Sequence, residues 1–125
     1  MKSFKKARKI ALSNNQGYHI VAILIRNGIP IKFGTNQAKT HPIAHRVYSN
    51  GEEAANMHAE MDVLRYAKSG DSLRVMRFLK NGKPTMAKPC RFCLKLIQKF
   101  NLNSVQYTNW NGEWEEVSRN VRTWK

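Results

Sequence analysis

His58-Ala59-Glu60 and Pro89-Cys90-Arg91-Phe92-Cys93 supply one imidazole, two thiols and a carboxylate two residues past the imidazole. An imidazole and two thiolates suit a single zinc ion, and three protein ligands leave a tetrahedral zinc one open position for water. A carboxylate that stands beside the metal without binding it can move that water's protons. His58, Cys90 and Cys93 are therefore the candidate ligands, and Glu60 the candidate general acid–base. Zinc brings the pKa of water towards neutrality, so the chemistry of such a centre is hydrolytic. A disulfide or a thioredoxin-like redox pair would account for Cys-x-x-Cys alone, but either leaves the upstream His-x-Glu unexplained. A closed structural zinc needs a fourth protein ligand, for which His41 or His45 are the candidates. A zinc finger would also place its cysteines before its histidines, the reverse of the order here.

The elements around these groups must aim them at one point. Within a helix, residues two apart point about 200° from each other, yet in the first turn both His58 and Glu60 can face a pocket at the helix start. Pro89 cannot continue a helix backwards, so a helix is predicted to begin at the cysteines. Two helix starts then converge, with dipoles that favour thiolates. The unpaired N–H groups around Ala59 and Cys90 can hold the polar edge of a substrate.

Residues 3–13 read as a first helix, with Phe4, Ala7, Ile10 and Ala11 at helical spacing and Lys and Arg opposite. Asn14-Asn15-Gln16-Gly17 ends it. Residues 18–26 and 29–33 read as two strands joined at Asn27-Gly28, a strong hairpin-turn dipeptide. Residues 35–51 form a long polar connection, and loops of this length are commonly functional. A helix is predicted to start between 49 and 57 and run to about 68, with Met57, Met61 and Leu64 as its buried stripe and Ser69-Gly70 as its stop. A third strand spans 72–80 and a helix 90–100, with Cys93, Ile97 and Phe100 on one face. A fourth strand at 104–108 then leads through the Asn111-Gly112 turn into an antiparallel fifth at 113–117. This alternation predicts an α/β layered domain on a sheet of about five strands.

At 125 residues the chain is long enough for one domain with a real core, and 42% hydrophobic content fits a globular protein. The longest apolar run, residues 20–25, is six residues, against about 20 for a membrane span. The basic start lacks the apolar core of a signal peptide, so a basic first helix and a cytoplasmic protein are expected rather than export. Formal net charge is +14, and the first 51 residues hold nine Lys or Arg and no Asp or Glu. Positive fields of this kind attract polyanions such as nucleic acid.

The paired motifs resemble the zinc-dependent cytidine deaminase superfamily, whose signature is His-x-Glu followed by Pro-Cys-x-x-Cys. The helix–strand order extends the resemblance over nearly the whole chain. It implies a three-layer α/β/α cytidine deaminase-like fold with a mixed sheet and a C-terminal antiparallel hairpin. It also implies His58, Cys90 and Cys93 as zinc ligands, and Glu60 as the proton shuttle in converting cytosine to uracil with release of ammonia. Members often place an asparagine after the second strand against the substrate's sugar, and Asn36 in Gly34-Thr35-Asn36 occupies that place. The final hairpin looks like the branch containing free-nucleoside deaminases. The His-Ala-Glu triplet is more usual in deoxycytidylate, tRNA adenosine and polynucleotide cytidine deaminases. Met86-Ala87-Lys88-Pro89 departs from the Thr-x-x-Pro-Cys wording common in the tRNA enzymes.

The charge makes cytosine in single-stranded DNA or RNA the leading expected substrate, since an unstacked base needs a pocket and its flanking phosphates a basic channel. Lys39, His41, His45 and Arg46 would form one wall, and Tyr48 or Trp110 would stack on a base. Trp114 and Trp124 are expected in the core. The alternative is a free-nucleotide or nucleoside deaminase acting on deoxycytidylate or cytidine, with one or two loop cations on a single phosphate. The third reading is a nucleic-acid-binding module with structural zinc and no catalysis.

Overall fold

The computed structural model describes residues 2–13, 18–37, 40 and 44–117. In chain order its elements are α1 (Lys2–Leu12), β1 (His19–Arg26), β2 (Ile29–Thr35), β3 (Arg46–Val47), β4 (Glu53–Ala54) and α2 (Ala59–Leu64). There follow β5 (Ser72–Phe78), β6 (Pro84–Thr85), α3 (Arg91–Gln98), β7 (Ser104–Thr108) and β8 (Trp114–Glu116).

Strand alternation builds the frame. Successive side chains of a strand point to opposite faces, and β1 is apolar on both. Ala22 and Leu24 go to one face, where they meet α2 and α3; Val21 and Ile23 go to the other, where they meet α1. β5 divides in the same way, with Leu73 and Val75 on the first face and Met76 and Phe78 on the second. Ala7 and Ala11 bring α1 close to the sheet, and Phe4 meets Phe78 edge-on at 5.6 Å. Ala59, Val63 and Leu64 of α2 and Leu94 and Ile97 of α3 cover the opposite face. The result is a three-layer α/β/α sandwich, as the family resemblance implies.

The sheet runs β2-β1-β5-β7-β8. β1 is antiparallel to both its neighbours, β5 and β7 are parallel, and β7 and β8 form the expected antiparallel hairpin. The parallel step needs a crossover, which α3 provides. The β1–β2 turn is left-handed at both central residues, with φ 53° at Asn27 and 76° at Gly28, the geometry a two-residue hairpin prefers. Gly34 is buried where β2 meets α2. A Cβ there would stand 2.9 Å from Ala59 O, Asp62 Oδ2 and Val63 Cγ1. Among the described residues no helix is long and apolar enough to cross a membrane.

Three expectations change. The 35–51 connection is not irregular throughout: β3 pairs with β4, and Thr40 bridges to Asn56. The hairpin closes because Gly51 adopts φ 85° and the Asn50 side chain accepts from Glu52 N at 3.0 Å. The second helix is short, six residues from Ala59, because the chain before it is spent on that hairpin. Its C-terminal turn tightens into Tyr66 N–Val63 O and Ala67 N–Leu64 O bonds. Trp114 is not core. It stands 37% exposed on edge strand β8 with the Arg74 guanidinium 5.4 Å over its ring. Pro84 and Thr85 add a short strand beside the end of β5 that the sequence reading leaves as a lead-in. The Asn14–Gly17 stop, Lys39, His41 and Trp124 lie outside the described residues.

Candidate active site

His58 and Cys90 are the N-cap residues of α2 and α3, each with extended backbone. Neither side chain caps its own helix. Their carbonyls do accept the first helical bonds, from Asp62 N at 3.1 Å and Leu94 N at 2.9 Å, so the side chains are left to turn towards each other. Cys93 lies one turn into α3 and is fully buried. His58 Nδ1 is 3.3 Å from Cys93 Sγ and 3.6 Å from Cys90 Sγ.

The three donor atoms lie within 4.8 Å of one another and form a group that can hold one metal ion. Bonds of about 2.0 Å to nitrogen and 2.3 Å to sulfur around one tetrahedral zinc place donors close to these separations. One nitrogen and two sulfurs are also a zinc-type donor set. The Cys90 thiol is held far below the usual thiol range, to about 4, chiefly by its hydrogen bond with Cys93 and then by His58, against partial burial. Cys93 is pushed up by that same bond, by burial and by Glu60. The pair thus holds one thiolate ready, and metal binding releases the second proton.

Glu60 is 5% exposed, in the first turn of α2. Burial raises its pKa, opposed by its own backbone N–H, the His58 charge and a hydrogen bond from Cys93. A carboxyl shifted upward by burial holds its proton more readily than a solvated one, which suits a group that must both take and give one.

A cavity of about 590 Å³ opens above these groups, lined by His58, Glu60 and Cys90 together with Tyr18, Ile20, Asn36, Gln37, Arg46, Tyr48, Asn56, Arg77, Met86, Ala87 and Lys88. Pockets of this size take small molecules. Asn36 sits on its rim, with Oδ1 accepting from Ile20 N at 3.2 Å and Nδ2 donating to Tyr18 O at 3.1 Å. The wall carrying Lys88 and Cys90 is fixed by Ala87 N to Thr108 O at 2.8 Å and by Thr108 Oγ1 to Thr85 O at 2.6 Å.

The long-loop residues separate. Arg46 is 5% exposed, and its donors go to Ala44 O, Asn56 O, Asn56 Oδ1 and Tyr48 Oη at 2.8–3.0 Å. Its Nη2 also stands 3.1 Å from His58 Nε2. Its donors are spent on the hairpin and on the edge of His58, so it is a strut rather than an open phosphate clamp. Tyr48 lines the cavity and meets Phe92 edge-on at 5.1 Å. His45 is exposed, bonds Glu53 at 3.0 Å and does not line the cavity, because it precedes a strand that turns its side chain to the hairpin partner. Trp110 is 71% exposed in the β7–β8 turn, also away from the cavity. Ala59 is wholly buried against the sheet, leaving only its backbone at the helix start for a ligand. Asn56 and Arg77 are lining residues that the motif reading misses. For Arg77 a signal existed, since it breaks the Leu73-Val75 apolar alternation at the next residue on that face.

In fold the chain is a cytidine deaminase-like α/β/α sandwich, with a His-Cys-Cys group where two of its helices begin. No protein-family model matches the sequence, and no curated protein matches it. Among solved structures, the chain is similar to the dCMP deaminase of the cyanophage S-TIM5 in complex with dCMP and dUMP. The TM-score is 0.58 at 22% identity, covering 87% of this chain and 79% of that one. The apo form of the same enzyme gives a TM-score of 0.56 at 22% identity, over 86% and 79% of the two chains.

Proposed function

We propose that this protein is a zinc-dependent hydrolytic deaminase that converts the cytosine of a free nucleotide to uracil and ammonia. The observation that carries the proposal is the buried Glu60 carboxyl beside the three donors, opening on a cavity large enough for one nucleotide. The likeness in fold to an enzyme solved with dCMP and dUMP favours the free nucleotide over a polymer. His58, Cys90 and Cys93 would hold the zinc, which supplies a Lewis acid that makes water acidic enough to act as a nucleophile near neutral pH.

Glu60 does the proton work. Its carboxylate takes a proton from the attacking water and delivers it to the ring nitrogen next to the amine-bearing carbon. A second proton then passes through Glu60 to the departing amine, which leaves as ammonia. Burial keeps bulk water from competing for the carboxylate. Asn36 on the rim is the residue we assign to the sugar, and the backbone at the starts of α2 and α3 to the polar edge of the base.

The net charge of +14 favours a second reading, cytosine in single-stranded nucleic acid. Zinc-loaded protein incubated separately with dCMP, deoxycytidine and a cytosine-containing oligonucleotide, with uracil products measured, separates the readings. Product from monomers alone supports the proposal, and product from the oligonucleotide alone replaces it with the polymer reading. Product from none removes the deaminase reading.

A further inference from the structure

The apolar stripe on the site-bearing face of β5 runs Leu73, Val75 and then Arg77, so a charged residue holds the position where the pattern calls for another core side chain. Arg77 is opposite Ile20 in the β1–β5 register, and both line the cavity. Its guanidinium carbon lies 4.5 Å from the centre of the Tyr18 ring. Its Nε is buried with no hydrogen-bond partner among the described residues. None of the ion pairs among those residues includes it. A buried donor without a partner is costly unless something else satisfies it, and the side chain that carries it lines an open cavity.

Lys88 is a second cation on the same lining, and Glu60 is the one carboxylate among the described lining residues. Lys88 shares its field with Glu115, but that carboxylate is taken up by Tyr107 Oη at 2.8 Å and Asn109 Nδ2 at 3.2 Å. Arg46, the remaining cation, has its donors committed. The cavity thus carries a metal-ligand group and proton carrier at one place, and at another a guanidinium 4.5 Å from an aromatic ring centre with one unpartnered donor. A guanidinium fork matches the oxygens of a phosphate, and contact with an aromatic ring narrows the positions it can take.

We propose that Arg77, oriented by Tyr18 and aided by Lys88, is the phosphate subsite of this cavity and sets the preference for nucleotide over nucleoside. This rests on the deaminase reading for the base, but it names its own residues and can fail by itself. The phosphate is that of a free nucleotide or a phosphodiester of a chain, and the substrates used below distinguish the two.

The test measures kcat/KM of zinc-loaded wild type, Arg77→Gln and Arg77→Lys for dCMP, deoxycytidine and a short oligonucleotide with one cytosine. Binding of dUMP and deoxyuridine is followed by calorimetry on the same proteins. The Gln variant should lower the dCMP-to-deoxycytidine ratio by about 10- to 100-fold, the scale of a lost charge-assisted hydrogen bond, and Lys should restore part of it. The dUMP-over-deoxyuridine binding preference should fall in parallel. If the Arg77-dependent gain appears with the oligonucleotide instead of dCMP, the subsite stands and the phosphate belongs to a chain. Equal losses on nucleoside and nucleotide, or no change in either ratio, overturn the subsite while leaving the deaminase reading intact. A wild type that deaminates nothing yet binds dUMP through Arg77 overturns the deaminase reading and keeps the subsite. The Lys variant also reports on folding, since it preserves charge and most of the side chain's bulk.

Discussion

On the α1 side of the sheet, Val21, Ile23, Met76 and Phe78 meet Ala7 and Ala11 in an apolar cluster. On the other side the same two strands begin with a similar stripe, Ala22, Leu24, Leu73 and Val75, and end in Ile20 and Arg77 beside a metal-ligand group and a buried carboxyl. Each strand alternates, so one stretch of chain serves both faces. The difference teaches that this fold separates stability from chemistry by residue parity as much as by region. Burying an apolar side chain contributes about 1.5–3 kcal/mol, which the α1 cluster collects at Val21, Ile23, Met76 and Phe78. The opposite face gives up part of that gain at its end for groups that are costly to bury alone.

The sharpest way to break this division is at Glu60. Glu60→Gln should lower kcat by about 10²- to 10⁴-fold, with zinc content by elemental analysis and the urea midpoint close to wild type. A large fall in metal content would mean that Glu60 holds the ion and does not simply move protons. Ile23→Ala on the α1 face should do the reverse, costing about 2–5 kcal/mol of stability in urea with kcat of the folded protein little changed. Loss of kcat without loss of stability there would end the comparison.

The far end of β1 and β5 offers a smaller, pH-dependent test. Asp71 is buried, and its pKa is lowered first by the hydrogen bond from Arg26, whose Nε and Nη2 contact it at 2.8 Å, and then by Lys68 N. A carboxylate with a depressed folded pKa adds stability above its unfolded value of about 3.9, and that stability disappears as pH falls through the folded value. Urea midpoints of wild type and Asp71→Asn should therefore differ at pH 7 and converge below about pH 4. A gap that persists in acid would show that shape, not charge, makes the contact. The smallest effect is expected at Trp114→Ala, where an exposed cation–π contact with Arg74 contributes about 0.5–1 kcal/mol. A loss several times larger in the same urea assay would place Trp114 in the core after all.

What was legible from sequence divides along similar lines. His58, Glu60, Cys90 and Cys93 were readable because each motif is local, and a helix start needs only a few neighbouring residues to form. The long strands and the Asn27-Gly28 turn were readable because alternation and left-handed turns leave a compositional trace. Asn56 was not, because its bridge to Thr40 is not written locally, and Arg77 left only a break in the β5 alternation whose meaning depends on its register with β1. Arg46 misled for a related reason: a basic residue in a polar loop reads as one wall of a phosphate channel, while here five contacts draw it inward.

Gly34 bears on all of this from a place with no chemistry. The depth at which α2 sits on the sheet is set by an absent methyl group, because any Cβ at that position would press on Ala59 O, Asp62 Oδ2 and Val63 Cγ1. Ala59 follows the candidate ligand His58 directly and precedes Glu60, so a bump under that carbonyl would displace both of those side chains together. In a saturation scan scored by activity, position 34 should therefore be as intolerant as the metal ligands themselves. It would be a blank column in the map, explained by volume alone.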